Sequence, residues 1–195
     1  RLEFGKTYYW RVDEIGPAPD YTPYRGNVWS FTVEPYAYTL GGRSIKATAS
    51  TWKDDTMGPE KTIDGSGLNA DDQHSTLETD MWLSLRDGPQ PTWIQYEFDG
   101  LYKLDEMFVW NSNTESEGFI GYGAKSVTIQ YSVDGSTWEN LGDFEFVQAP
   151  GAEGCTADTT VPFAGAAAKF VKLTINSNWG DVLVQFGLSE VRFTY

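Results

Sequence analysis

One cysteine and one histidine are all that the 195 residues contain of those two types, and basic residues are scarce, with 14 Lys and Arg set against 28 Asp and Glu. Each shortage narrows the function. Cys155 cannot form an internal disulfide, and a lone thiol without further histidines to serve it is a poor nucleophile, so it reads as a small residue in a loop. A Ser-His-Asp triad is not excluded by a count of one, but neither a nucleophile elbow nor any other catalytic signature accompanies His74. The formal charge of −14 argues against nucleic acid, whose binding needs a basic stripe to release counterions from phosphates. It argues equally against anionic lipid headgroups and heavily sulfated polysaccharides, leaving neutral ligands and cations. No apolar run approaches the roughly 20 residues of a membrane-spanning helix, so membrane insertion is not expected. The opening Arg1-Leu2-Glu3 has no initiator Met, basic stretch or apolar core of a leader; any signal peptide is expected to lie outside this sequence, and the chain reads as cut from something longer.

What is present is aromatic and alternating. Aromatic residues make up 15% of the chain and alternate with polar residues at period two, in short segments separated by Gly, Pro, Asn and Asp. That is the pattern of an all-β, antiparallel β-sandwich. The length allows one well-cored domain with a smaller piece beside it. Thr7 to Ile15 and Asn27 to Val33 alternate around a break at Gly16 to Asp20 and read as a hairpin. Glu34-Pro35-Tyr36 ends that unit, 37 to 42 is a linker with a Gly41-Gly42 turn, and the remaining strands follow. They are expected at Ser44 to Ser50, Thr92 to Phe98, Tyr102 to Trp110, Lys125 to Val133, Trp138 to Leu141, Thr159 to Phe163, Lys169 to Ile175 and from Gly187. Phe170, Leu173 and Ile175 are out of one register, which predicts a bulge or two-sided burial.

Two stretches stand out for chemistry. Trp52 sits at the tip of the loop Thr51 to Pro59, either as a lid over the sandwich edge or facing a ligand. Asp64 to Asp80 is the most polar stretch, in which Asp64, Asn69, Asp71 and Asp72 supply hard oxygen donors and Gly65 and Gly67 let the backbone wrap a centre. The spacing is not that of an EF-hand.

The strand Ala47 to Ser50, the turn Asp64-Gly65, Met81-Trp82-Leu83-Ser84, the run Tyr131 to Trp138 and the closing Gly187 to Phe193 with its single acidic Glu190 resemble, in that order, the discoidin or coagulation-factor C-terminal type domain. The galactose-binding-like fold of many carbohydrate-binding modules is the same one. The resemblance implies a discoidin-like jelly roll over 43–195, with Trp82 in the core and a structural calcium ion held by Asp64 and Glu190, with Asn69 as a third candidate. Leu2, Thr7-Tyr8, Arg11-Val12 and Trp29 to Thr32 resemble the last two strands of a fibronectin type III domain, with Tyr8 at the tyrosine-corner position. Residues 1–36 are thus expected to be a β-hairpin remnant of such a sandwich, and the pair implies a multi-modular, bacterial, secreted or cell-surface protein.

Sugar recognition needs an aromatic face for the axial C–H groups and amides, carboxylates, Arg or His for the hydroxyls, on loops held by rigid strands. By position in the sugar-binding relatives Asn111 is nominated, and by topology His74, Arg86, Asn178, Trp179 and Trp52. His74 is open between a structural and a ligand role. The expectation is a non-catalytic, extracellular module that binds a neutral glycan. The alternative is a protein–protein adhesion or self-assembling subunit on the same sandwich, and the uncovered faces of the N-terminal hairpin suggest a homo-oligomer.

Overall fold

The computed structural model describes residues 2, 3, 5–33 and 37–195, and the chain divides into two compact units, 1–38 and 39–195. The expected end of the first unit at Glu34-Pro35-Tyr36 lies outside the described residues.

The first unit is a ladder in two parts. Strand β1 (Thr7–Trp10) pairs with β4 (Trp29–Thr32), and β2 (Glu14–Ile15) with β3 (Pro23–Tyr24), all antiparallel. The expected strands are therefore interrupted between Trp10 and Glu14. Gly26 lies against the backbone there: a β-carbon on it would sit 2.1 Å from the Val12 carbonyl oxygen, and its N–H donates to Asp13 Oδ1 at 3.2 Å. Tyr8 stacks on Phe31 and Trp10 on Trp29, giving one aromatic face. The Tyr8 hydroxyl accepts a 2.9 Å bond from Glu3 N–H, five residues upstream, as a tyrosine-corner hydroxyl does.

The second unit is a single seven-stranded antiparallel sheet folded over itself into a sandwich. It comprises β5 (Ile45–Ala49), β6 (Trp82–Leu83), β7 (Thr92–Asn111), β8 (Ala124–Ser132), β9 (Glu139–Glu145), β10 (Thr159–Asn178) and β11 (Gly187–Phe193), with one short helix, α1 (Glu117–Ile120). The order is β6-β11-β7-β10-β8-β9, with β5 also on β7. The fold-over is carried by the two 20-residue strands. The first half of β7 pairs with β5 and the second half of β10; its second half pairs with β11 and the first half of β10. Where β10 turns the corner its register slips between Pro162 and Ala166 and again between Ala168 and Phe170, and Ala164 and Gly165 take left-handed φ of 52° and 81°.

Each long strand had been expected as two. Gly100 is not in the left-handed region that a tight turn needs, so β7 continues through Asp99-Gly100, although 98–101 have no partner on β10 where the register shifts. The bulge predicted near Phe170 is present, and burial is two-sided. Val171, Leu173 and Ile175 face the core, while Phe170 packs on Trp138 at 6.4 Å.

Trp82, Tyr96, Phe98, Leu104, Met107, Phe146, Leu173 and Phe193 are buried in one continuous core. Trp82 is fully buried and its indole N–H donates to the Thr51 carbonyl at 3.0 Å, so the core tryptophan also fixes the root of the Trp52 loop. No helix among the described residues is long and apolar enough to cross a membrane.

Candidate functional site

Five loops meet at one end of the sandwich, as their cross-loop bonds show. Lys53 N–H donates to Leu83 O, Leu85 N–H to Thr51 Oγ1, Asp87 N–H to Val184 O, Gly187 N–H to Tyr122 O, and Gly151 N–H to Asn113 Oδ1. The expected sugar-contacting residues all lie on or near these loops, but most are spent inside the protein.

Asn111 is fully buried. Its amide donates to Ala124 O (2.8 Å) and Val147 O (2.7 Å) while its Oδ1 accepts from Ser112 N–H (2.9 Å). Asn178 likewise gives both amide protons to Leu183 O and Gln185 O and accepts from Asp181 N–H. Trp179 is half-buried, its indole N–H on Phe146 O at 3.0 Å and Lys125 Nζ 4.7 Å above its ring. His74 is fully buried and Nδ1 faces Ser75 O at 3.0 Å, leaving Nε2 enclosed against Gly67 without a partner. Asn111, Asn178 and His74 are buried and present no free polar group at the surface, while the half-buried Trp179 keeps part of its ring there. Irregular buried backbone must find partners somewhere, and amide and indole groups on neighbouring loops provide them. Asn113, which the sequence did not single out, is the most connected of this kind, bonding Ser75 O, Ala152 O and the N–H groups of Gly151 and Ala152.

Trp52 and Arg86 remain at the surface. Trp52 is 46% exposed on a loop that is tied down at several points: Met57 is buried, Asp54 Oδ1 accepts from Thr56 N–H and Oγ1, and Lys53 is bound to Leu83. The indole borders a cleft of about 500 Å³ lined by Ala47, Thr48, Ala49, Asp55, Gly58, Pro59 and Glu60. Asp55 and Glu60 are exposed and make no side-chain hydrogen bond or ion pair among the described residues. Arg86 stands on the adjoining loop, its Nε 3.7 Å from Asp87 Oδ2, a surface pair worth little. An aromatic plane with free carboxylates beside it, and a guanidinium on the next loop outside the cleft lining, has the composition that hydroxyl recognition requires. Asp55 and Glu60 gave no sequence signal, since one acidic residue in a chain with 28 looks like another.

A second centre lies beside β11. Glu190 is 5% exposed, its Oε2 has no partner, and burial pushes its carboxyl up to about 8, with the nearby Asp64 carboxylate adding to the rise. Asp64, in the loop after the 3-10 turn Pro59–Thr62, accepts from Ser66 N–H at 2.7 Å, and Lys61 Nζ is 3.8 Å from its other oxygen. Two carboxylates from opposite ends of the domain, one buried with an orphaned oxygen, suit an oxygen-seeking cation. Asn69 does not complete the set. Its Oδ1 accepts from Asp71 and Gln73 N–H and its amide donates to the Gln73 side chain, so it shapes its own turn. Among the described residues no three His, Cys, Asp or Glu side chains form a metal-binding group, so loop carbonyls would have to supply the remaining ligands. The rest of the polar stretch reaches β11 and the loop before β10: Asp72 accepts two bonds from Arg192 (2.9 and 2.7 Å), and His74 pairs with Cys155. Burial and the Asp158 carboxylate hold the Cys155 thiol up at about 11, which disfavours a reactive thiolate.

Glu117 opens α1 and is buried, its two oxygens accepting from Gly123 N–H at 3.0 and 3.2 Å. Desolvation nonetheless lifts it to about 7, and Asp158 is lifted to about 7 by the same cause. A carboxyl raised on folding binds more protons in the folded state, so its stabilisation is complete below about 4.5 and is lost as pH rises through 7. Glu117→Gln is expected to remove part of the fall in stability between those pH values, of order 2 kcal/mol, with Asp158 and Glu190 supplying the remainder. Urea unfolding at several pH values checks this; an unchanged slope in the variant would place the titration elsewhere.

Comparison with known proteins now places the chain. The family model of the F5/8 type C domain matches residues 44–185. A search of curated proteins found no match. Among solved structures, a CBM32 module from Clostridium perfringens in complex with GalNAc-β-1,3-galactose is similar with a TM-score of 0.59 at 16% identity, covering 80% of this chain and 99% of that one. The family 32 CBM of C. perfringens NanJ, in complex with galactose, gives 0.60 at 12% identity over 82% and 99%. An F5/8 type C domain from Bacteroides fragilis gives 0.58 at 15% over 81% and 95%. With the model covering residues 44–185, most of the sandwich from β5 to the loop before β11, the chain belongs to the F5/8 type C, or discoidin-like, domain family.

Proposed function

We propose that residues 39–195 are a non-catalytic carbohydrate-binding module for a neutral glycan, working outside the cell as part of a secreted or surface protein. The observation that carries this reading is the exposed Trp52 beside a cleft with the unengaged carboxylates of Asp55 and Glu60, with Arg86 on the next loop. The sugar-bound relatives support it, being similar in fold and in complex with galactose or GalNAc-β-1,3-galactose. An acidic chain suits an uncharged ligand. A glycan array probed with the protein, in calcium and in chelator, tests it: retention of galactose-type glycans, lost in Trp52→Ala, is expected, and no retained glycan at all would sink it.

Calcium is proposed as the cation between Asp64 and Glu190. It would neutralise two like charges and hold the 64–80 loop on β11, a structural service that takes no part in ligand contact.

The N-terminal hairpin favours a second activity, self-assembly. Trp10, Trp29 and Phe31 on its aromatic face are 50%, 60% and 45% exposed. We read the hairpin as the end of a fibronectin type III-like sandwich in a bacterial multi-modular protein, and two such faces would cover one another. Light scattering is expected to show a larger mass per chain for residues 1–195 than for 37–195. Monomers in both, with the hairpin resistant to protease in the longer form, would rule the assembly out.

A further inference from the structure

The Trp52 cleft does not end at Ala47. A second cavity of about 550 Å³ begins at the same residues, sharing Ala47 and Glu60, and continues past Lys46, Ile45 and Ile63 to Arg43 and Asp64. The two are halves of one groove running beside β5, whose five residues span about 16 Å. That is longer than one pyranose ring, and a single terminal sugar on Trp52 would leave the far half filled with water.

We propose that this groove binds an internal stretch of a neutral linear oligosaccharide, one sugar against Trp52 and the following units along β5 toward Arg43. The proposal rests on the carbohydrate-binding reading above and states which kind of glycan the site takes. Its floor permits close approach, because the half-buried positions of the strand facing the groove are alanines, Ala47 and Ala49. Its walls offer both kinds of hydrogen-bonding partner that a chain of hydroxyls needs. Asp55 and Glu60 accept, and Arg43 and Lys46 donate, and none of the four forms an ion pair among the described residues. A lining of mixed charge suits hydroxyls and repels neither sign strongly, and the apolar surface of Ile45, Ala47, Ala49, Pro59 and Ile63 between the charges suits the C–H faces of successive sugar rings. Asp64 closes the far half.

Calorimetric titration with galactose and with a linear galactotetraose, both in calcium, tests this. The tetrasaccharide is expected to bind about tenfold or more tightly than the monosaccharide, as added contacts of 1–2 kcal/mol would give. Arg43→Ala, in the far half alone, is expected to collapse the ratio of the two affinities toward one. Equal affinities in the wild-type protein would overturn the extended groove while leaving the sugar-binding reading standing, as would a ratio that Arg43→Ala does not change. Displacement of bound tetrasaccharide by an extended peptide would reassign the groove. Absence of binding to either sugar would remove the carbohydrate-binding reading itself, and the groove proposal with it.

Discussion

Adding a chelator to the protein at neutral pH is expected to lower its melting temperature by roughly 5–10 °C, the loss of about 3 kcal/mol that a ligand present at some hundredfold above its dissociation constant contributes to a domain of this size. The reason is local. Glu190 is enclosed with one oxygen unpartnered, faces the charge of Asp64, and at neutral pH must either hold a proton or carry an uncompensated charge. The Arg192 guanidinium relieves it only weakly, because it is committed to both oxygens of Asp72. A divalent cation would remove the conflict and add a tie between the loop from Asp64 to Asp80 and β11, beside the Asp72–Arg192 pair. Glu190→Gln is expected to make the melting temperature indifferent to the chelator. A wild-type protein that melts at one temperature with and without calcium would show that no metal bridges Asp64 and Glu190.

Replacing Trp52 by alanine is expected to cost 1–3 kcal/mol of glycan affinity, or about ten- to a hundredfold, with the fold intact. An exposed indole contributes little to a core, and the neighbours that hold the loop do not depend on it: Trp82 through the Thr51 carbonyl, Met57 by burial, Asp54 through Thr56. Trp179→Ala is a useful contrast, since its indole N–H holds the Phe146 carbonyl. Its expected effect is on stability first, and if it removed binding without lowering the melting temperature, the ligand would be at the far side of the loop end.

How far the sequence reaches differs between fold and site. The sandwich was legible because strand alternation repeats over many residues, and the core tryptophan Trp82, the Asp64-Gly65 turn and the closing strand with Glu190 keep their order. The long strands were less so. A Gly-containing corner looks the same in sequence whether one strand ends there, as expected after Phe98, or continues through it, as β7 does. The site was least legible. Asn111, Asn178 and His74 have the composition of a sugar contact, yet all three are buried: Asn111 is consumed by backbone 13 and 36 residues away, Asn178 by the turn of its own loop, and His74 faces the carbonyl of Ser75. Such pairings depend on which loops meet. Trp52 was legible as a loop-tip aromatic, but Asp55 and Glu60 acquire meaning only once Pro59–Thr62 packs beside β5.

The central claim is that a glycan binds on the Trp52 side of the loop end. Mapping amide and indole NMR shifts during a galactose titration in calcium tests it most directly. The account predicts that the Trp52 indole N–H and the backbone amides of 47–60 move together and saturate, with those of the hairpin unmoved. Saturating shifts confined to 176–186, or no saturable shift anywhere, would contradict it.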